Sequence, residues 1–249
     1  MLEVKDVKVG VIGAGVMGSG IAQVTATAGY PSVCYDLDPG AVARAREHVT
    51  TGRYGFDRGV ERGKLTREHA DAALELLELT TEFDAATSAD VIIEAVPERL
   101  DLKIKVFRDL DRAAPPNTIL ASNTSGFSIA AIGAATDRPD HVIGWHWASP
   151  APVMRFAEIV RTRDTSEEAI DRVTELATAC GKNPVVVRDH DTAWGFVANR
   201  IYAAVMDEAK RVVDDGVATP EQVDQLMIDC YGWPTGPHTM IQGALSGWT

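Results

Sequence analysis

Three cysteines, Cys34, Cys180 and Cys230, are scattered over 249 residues. They are too few and too dispersed for a disulfide framework or a zinc site, so no metal is expected and a reducing, cytoplasmic setting is the simplest reading. No apolar run reaches the ~18–20 residues of a membrane span. The opening Met1-Leu2-Glu3-Val4-Lys5-Asp6 carries no apolar stretch of the secretory kind. Positive charge is scarce: 24 Lys and Arg against 36 Asp and Glu give a formal net charge of −12. With a pI near 4.9, the chain is a poor partner for nucleic acid or an anionic membrane. Any phosphorylated substrate must therefore be met by a local basic patch. Repeats and low-complexity tracts are absent as well.

What is present is an ordinary globular composition, 45% hydrophobic and 24% charged, with one segment of high information. Lys8-Val9-Gly10-Val11-Ile12 is an apolar strand that runs straight into Gly13-Ala14-Gly15-Val16-Met17-Gly18 and then into a helix-forming sequence. In such a loop Gly13 permits the strand-to-helix turn, Gly15 lets the backbone approach a pyrophosphate, and Gly18 lets the helix pack close to the sheet. The helix N-terminus, from Val16 and Met17, presents N–H groups and partial positive charge to the phosphates. A second strand ends at Asp36, 23 residues after Gly13, near the offset of about 20 expected for a carboxylate on the adenosine ribose. That carboxylate also repels a 2′-phosphate, so the expected cofactor is NAD. Asp38, before Pro39, reads as a turn or N-cap residue.

The pattern beyond the loop predicts an α/β fold: a Rossmann-type doubly wound sheet followed by a smaller all-helical domain. Residues 40–79 read as a long helical region broken near Gly63. Strands are expected at 89–96, 117–121, 141–146, 156–160 and 184–187, with helices at 100–114 and 165–180 between them. From Trp194 onward the sequence reads as helix, including 196–214 and 220–228 capped by Thr219. The expected division is 1–190 for the dinucleotide-binding domain and 191–249 for the helical domain.

Oxidation of an alcohol by hydride transfer needs a base for the hydroxyl proton. His146 ends a strand ahead of the Pro-rich loop Ser149-Pro150-Ala151-Pro152, and histidine is the residue type best suited to exchange a proton at neutral pH. Glu158, twelve residues on, interrupts the apolar strand Phe156-Ala157-Glu158-Ile159-Val160. If the two strands lie side by side, the carboxylate holds the imidazole and stabilises its protonated form.

These segments, with Glu94-Ala95-Val96-Pro97-Glu98, Ser122-Asn123-Thr124-Ser125, Pro152-Val153-Met154, Gly181-Lys182-Asn183-Pro184-Val185, Gly195-Phe196-Val197-Ala198-Asn199-Arg200 and Gly236-Pro237, follow one another at a characteristic spacing. Over nearly its whole length the chain resembles the L-3-hydroxyacyl-CoA dehydrogenase family. The resemblance implies that His146 is the general acid/base and Glu158 its orienting partner. Ser125 then hydrogen-bonds the reacting oxygen or the nicotinamide end, and Asn199 faces the substrate. Glu98 and Lys103 line the ribose and nicotinamide region, and Ser149 is counted with the cofactor-binding residues. It also implies a small-molecule substrate, an acyl-CoA or a related thioester or hydroxy acid, and a homodimer built on the helical domain.

The chain departs from the family pattern at three places. Ser149 and Ala148 replace the usual Asn and the aromatic before it. The helix after Asp36 carries Gly52, Gly55 and Gly59 where a Ser/Lys pair meets the CoA phosphates, leaving Arg53, Arg58 and Lys64 as substitutes. The sequence closes at Trp248-Thr249, where relatives continue through more helix, and residues 189–194 read as an insertion. A dehydrogenase of a free polar hydroxy acid or of a carrier-protein-bound 3-hydroxyacyl group, and a non-catalytic dinucleotide-binding protein, are the alternatives. A 6-phosphogluconate-type dehydrogenase shares the glycine loop but fits the His146–Glu158 pair poorly.

Overall fold

The computed structural model describes residues 2–190 and 194–246, the last five for their backbone alone. Asp191, within the expected insertion, and the closing Trp248-Thr249 lie outside the described residues. The chain divides into two compact units, Met1–Trp194 and Gly195–Thr249.

The first unit is built on an eight-stranded sheet of order β3-β2-β1-β4-β5-β6-β7-β8. Its central strands, β1 (Val9–Ile12), β4 (Val91–Glu94), β5 (Ile119–Ser122) and β6 (Val142–Trp147), are buried at every position. Strands covered on both faces read as continuous apolar runs, which is why they are visible in the sequence. β2 (Ser32–Tyr35) flanks β1 on the other side. The helices between the strands are α1 (Val16–Thr27), α2 (Pro39–Thr50), α3 (Phe56–Glu61), α4 (Arg67–Glu75), α5 (Phe83–Thr87), α6 (Leu100–Ala113) and α7 (Ile129–Gly133). Asp38 caps α2, accepting from the N–H groups of Gly40 and Ala41 at 2.8 and 3.1 Å.

Two details differ from the sequence reading. The helical stretch expected over 40–79 breaks first at 51–55, and its last three residues belong to β3 (Leu77–Thr80), an edge strand paired in parallel with β2. The strand expected at 117–121 runs from Ile119 to Ser122, so Ser122 is the final residue of β5. Parallel pairing runs from β3 across to β6. β7 (Phe156–Arg161) then turns back antiparallel to β6, and β8 (Asn183–Arg188), reached through α8 (Glu167–Ala179), runs parallel to β7 at the far edge.

Register sets the site. Ile12 stands opposite Tyr35 and Glu94, Glu94 opposite Ser122, and Ser122 opposite Gly144. The carboxyl ends of four strands therefore finish level with Gly144 on one edge, and β6 continues past them to place His146 two residues further along. The strand order reverses around β1 and β4, the place where open α/β sheets leave a crevice for ligands.

The described residues of the second unit form three helices: α9 (Val197–Asp214), α10 (Pro220–Tyr231) and α11 (Pro237–Ser246). Thr219 and Gln222 form a reciprocal capping box at the start of α10, and Gly232, with φ +67°, ends it. The Asp224 carboxylate accepts from the N–H groups of His238 and Thr239 and so caps α11 from the neighbouring helix. No helix among the described residues is long and apolar enough to cross a membrane.

Candidate active site

The loop between β1 and α1 has the form that the glycine spacing predicts. Gly13 has φ +103°, a conformation L side chains rarely adopt. A Cβ on Gly18 would fall 1.7 Å from the Gly13 carbonyl oxygen, whereas a Cβ on Gly15 would meet nothing within 4 Å. Gly18 is thus required by packing, and Gly15 presents a bare face. No side chain caps the N-terminus of α1, Val16 is exposed and Met17 half-buried. Asp36 is anchored beside this opening. Its carboxylate accepts from the Ala14 N–H at 2.8 Å and the Asp38 N–H at 3.0 Å. An uncapped helix start, an open glycine face and an adjacent fixed carboxylate fit the pyrophosphate and ribose of a dinucleotide.

The ends of β4 and β5 enclose a buried ionic network. Glu94 is 0% exposed and Lys103 1%. The Lys103 ammonium donates to Glu94 Oε1 at 2.7 Å and stands 3.1 Å from Glu98 Oε2. Glu94 also accepts from the Val96 N–H at 2.8 Å and from Ser122 Oγ at 2.6 Å. Burial pushes the Glu94 carboxyl up from its ordinary range, while Lys103 and these donors pull it back. The network reaches the surface through Glu98, whose Oε1 accepts from Thr124 Oγ1 at 2.6 Å and from the Ser125 N–H at 2.9 Å. Glu98 and Ser125 are thereby brought together, and the Lys103 ammonium sits beneath them.

His146 and Glu158 are register partners across β6 and β7. Nδ1 of His146 lies 2.8 Å from Glu158 Oε2, with the two residues only 6% and 4% exposed. The ring edge of Phe156 closes on the imidazole at 5.2 Å. Asn123 Oδ1 accepts from the Trp147 N–H at 2.9 Å and ties the end of β5 to the end of β6. Ser149 lies half-buried in the loop that joins β6 to β7. Asn199 lies in the first turn of α9, in the second unit.

The sequence reading gave Arg53, Arg58 and Lys64 no place, and the structure supplies one. A cavity of about 740 Å³ in the first unit is lined by Arg53, Arg58, Arg62, Lys64, Arg155 and Lys182, and no acidic residue among those described lines it. Arg58 is ion-paired to Glu61 outside the lining. Gln23, 3% exposed, borders the same cavity, and its Oε1 has no hydrogen-bond partner. Glu94, Asn123 and Lys182 stood in quoted motifs without roles; their partners come together only in the folded chain.

Comparison with known proteins follows the same division. The family model described as 3-hydroxyacyl-CoA dehydrogenase, NAD binding domain, matches residues 8–190, and that for the C-terminal domain matches 195–244. The chain is 39% identical over 236 residues to a probable 3-hydroxybutyryl-CoA dehydrogenase of Bacillus subtilis, covering 95% of this chain and 79% of that protein. It is 40% identical over 229 residues to a 3-hydroxyadipyl-CoA dehydrogenase of Escherichia coli, covering 92% of this chain and 47% of that protein. Among solved structures, the (S)-3-hydroxybutyryl-CoA dehydrogenase of Ralstonia eutropha superposes with a TM-score of 0.88 at 37% identity, covering 92% of this chain and 79% of that one.

Proposed function

The chain belongs to the 3-hydroxyacyl-CoA dehydrogenase family of NAD-binding oxidoreductases, and from that premise we propose that it interconverts a 3-hydroxyacyl-CoA and its 3-keto form with His146 as general acid/base. The observation that carries the proposal is the buried 2.8 Å contact between His146 Nδ1 and Glu158. With Nδ1 engaged there, Nε2 is the nitrogen that handles the substrate proton. Bound NAD supplies the hydride acceptor. His146 takes the proton of the substrate hydroxyl in oxidation and returns it to the carbonyl oxygen in reduction. Glu158 holds the ring and stabilises the imidazolium that forms. Gly13, Gly15, Val16, Met17, Gly18 and Asp36 bind the adenosine and pyrophosphate end of the cofactor. Glu98, Ser125 and Ser149 border its nicotinamide end, Lys103 fixes Glu98 from below, and Asn199 is assigned to the substrate.

The cationic cavity favours a phosphorylated carrier over a free hydroxy acid. In a chain of net charge −12, a lining of six cations and no acid is a local reversal of sign that suits the phosphates of CoA. Arg53, Arg58 and Lys64 in that lining thereby take the place of the missing Ser/Lys pair. The helical unit exposes Ile201, Tyr202, Leu226 and Tyr231, an apolar surface suited to a homodimer.

The test is NADH oxidation with acetoacetyl-CoA, wild type against His146→Ala. Turnover by the wild type and a loss of about 10²-fold or more in the variant, with NADH affinity retained, support the proposal. NADH binding without turnover in either protein overturns it and favours a binding role.

A further inference from the structure

We infer that Lys182 is a positioning residue for the dehydrogenase reaction: from the position just before β8 its ammonium clamps the loop that joins the two strands bearing His146 and Glu158. This rests on the reading of those two residues as the acid–base pair. The loop comprises the eight residues between β6 and β7, 148–155. Its internal hydrogen bonds run from the N–H groups of Val153 and Met154 to the Pro150 carbonyl, at 3.0 and 3.1 Å. The Lys182 ammonium adds two from outside, donating to the carbonyl oxygens of Ala151 at 2.6 Å and Met154 at 2.7 Å. It also lies 5.0 Å from the ring centroid of Trp147, the residue after His146.

The opposite side of the loop rests on α1. A Cβ at Gly20 would come within 3.3 Å of Ala151 Cβ and 3.4 Å of Pro152 Cδ. The loop is therefore wedged between the helix that follows the nucleotide turn and the lysine. It carries Ser149 and leads from one member of the acid–base pair to the other.

The charge is expensive where it sits. Lys182 is 6% exposed, and no carboxylate among the described residues lies within ion-pair distance of it. Burial lowers its proton affinity from the ordinary lysine range. A cation kept under these conditions, with carbonyl dipoles and an indole face as its partners, is better explained by what it orders than by what it adds to stability. An apolar side chain of equal length fills the same volume without holding either carbonyl.

The experiment compares wild type, Lys182→Met and Lys182→Arg in acetoacetyl-CoA reduction, with NADH affinity and melting temperature measured alongside. The expected result is a fall in kcat of about tenfold or more in Lys182→Met, with the NADH Kd held within about twofold, and recovery of most of the loss in Lys182→Arg, whose donors reach the same carbonyls. Lys182→Ala opens onto the cationic cavity, and added propylammonium restores its kcat with saturation. A Lys182→Met enzyme that melts earlier but keeps its kcat below the transition overturns the inference, as does one unchanged in both. Should Lys182→Met fail to fold, Lys182→Leu, which likewise has no donor for the two carbonyls, gives the same reading. A wild type that binds NADH and reduces no thioester removes the acid–base assignment, and the inference with it. A wild type that is active and sensitive to His146→Ala, with Lys182 variants of undiminished kcat, removes the inference alone.

Discussion

Replacing Glu158 by Gln keeps a hydrogen-bonding group of the same shape against His146 and removes only the charge. Because both residues are almost fully buried, 6% and 4% exposed, solvent does little to screen the pair. The 2.8 Å contact puts the two charge centres about 4 Å apart once the imidazole is protonated, and at an effective dielectric of about 20 that attraction amounts to about 4 kcal/mol. Oxidation begins with a neutral imidazole and develops positive charge as the proton arrives, so the attraction is realised in the transition state rather than the ground state. Full realisation corresponds to about 10³ in rate and partial proton transfer to about 10². The expected outcome is a fall of that size in the single-turnover rate of NADH formation from 3-hydroxybutyryl-CoA, with NAD affinity unchanged because the nucleotide loop is untouched. A loss below about fivefold in a folded, NAD-binding variant would mean that the carboxylate orients the ring without stabilising its charge, and the electrostatic argument would fail.

Three further outcomes are expected. Asp36→Ala weakens NADH binding by about tenfold through loss of a charge-assisted hydrogen bond to the ribose and narrows the preference over NADPH, as read by fluorescence titration of both cofactors. Lys103→Met strands the Glu94 carboxylate at 0% exposure and lowers unfolding free energy in urea by about 3–5 kcal/mol, whereas the double variant with Glu94→Gln loses distinctly less. Burial pushes the thiols of Cys34 and Cys180 up to about 12 from an ordinary 9.0; above pH 9 the unfolded chain ionises them and the folded chain does not, so stability falls by about 1.4 kcal/mol per thiol per pH unit towards pH 12. Comparing alkaline denaturation of the wild type with a Cys34→Ala/Cys180→Ala variant isolates that slope, and an identical slope in both would contradict it.

The parts of this molecule that are legible in the sequence are those fixed by local chemistry. The turn at Gly13 needs positive φ, and Gly18 has no room for a Cβ; such demands leave a spacing that can be read directly. The four fully buried central strands announce themselves as apolar runs for the same reason. Leu77-Glu78-Leu79-Thr80 does not, because its composition continues that of α4, and only pairing along the edge of β2 makes it a strand. Helices of five residues such as α5 and α7 are too short to show a period. The contact of Lys103 with Glu94 spans nine positions of chain, a separation with no helical or strand period. It becomes a contact only when β4 and α6 are set side by side. The cationic cavity is less legible still, since Gln23, the residues 53–65, the 152–155 loop and the end of α8 meet there from four separate stretches.

The reversal of β7 is the step on which the chemistry turns. Had the strand after β6 continued the parallel order, a crossover of a dozen or more residues would have been required before it could lie alongside. The residue opposite His146 would then have come from a different part of the chain. By turning back after eight residues, β7 lays Glu158 directly across from His146 at the edge where β1, β4 and β5 end. A two-residue turn would have achieved the pairing as well, so the extra length serves another purpose. The loop has room to lean on α1 at Gly20 and to be held from behind by Lys182. The sheet thus places the proposed acid–base pair, and the loop links that pair to α1 within two turns of the glycine loop. A change in the clamp should accordingly be felt in the rate of the chemical step before it is felt in cofactor affinity.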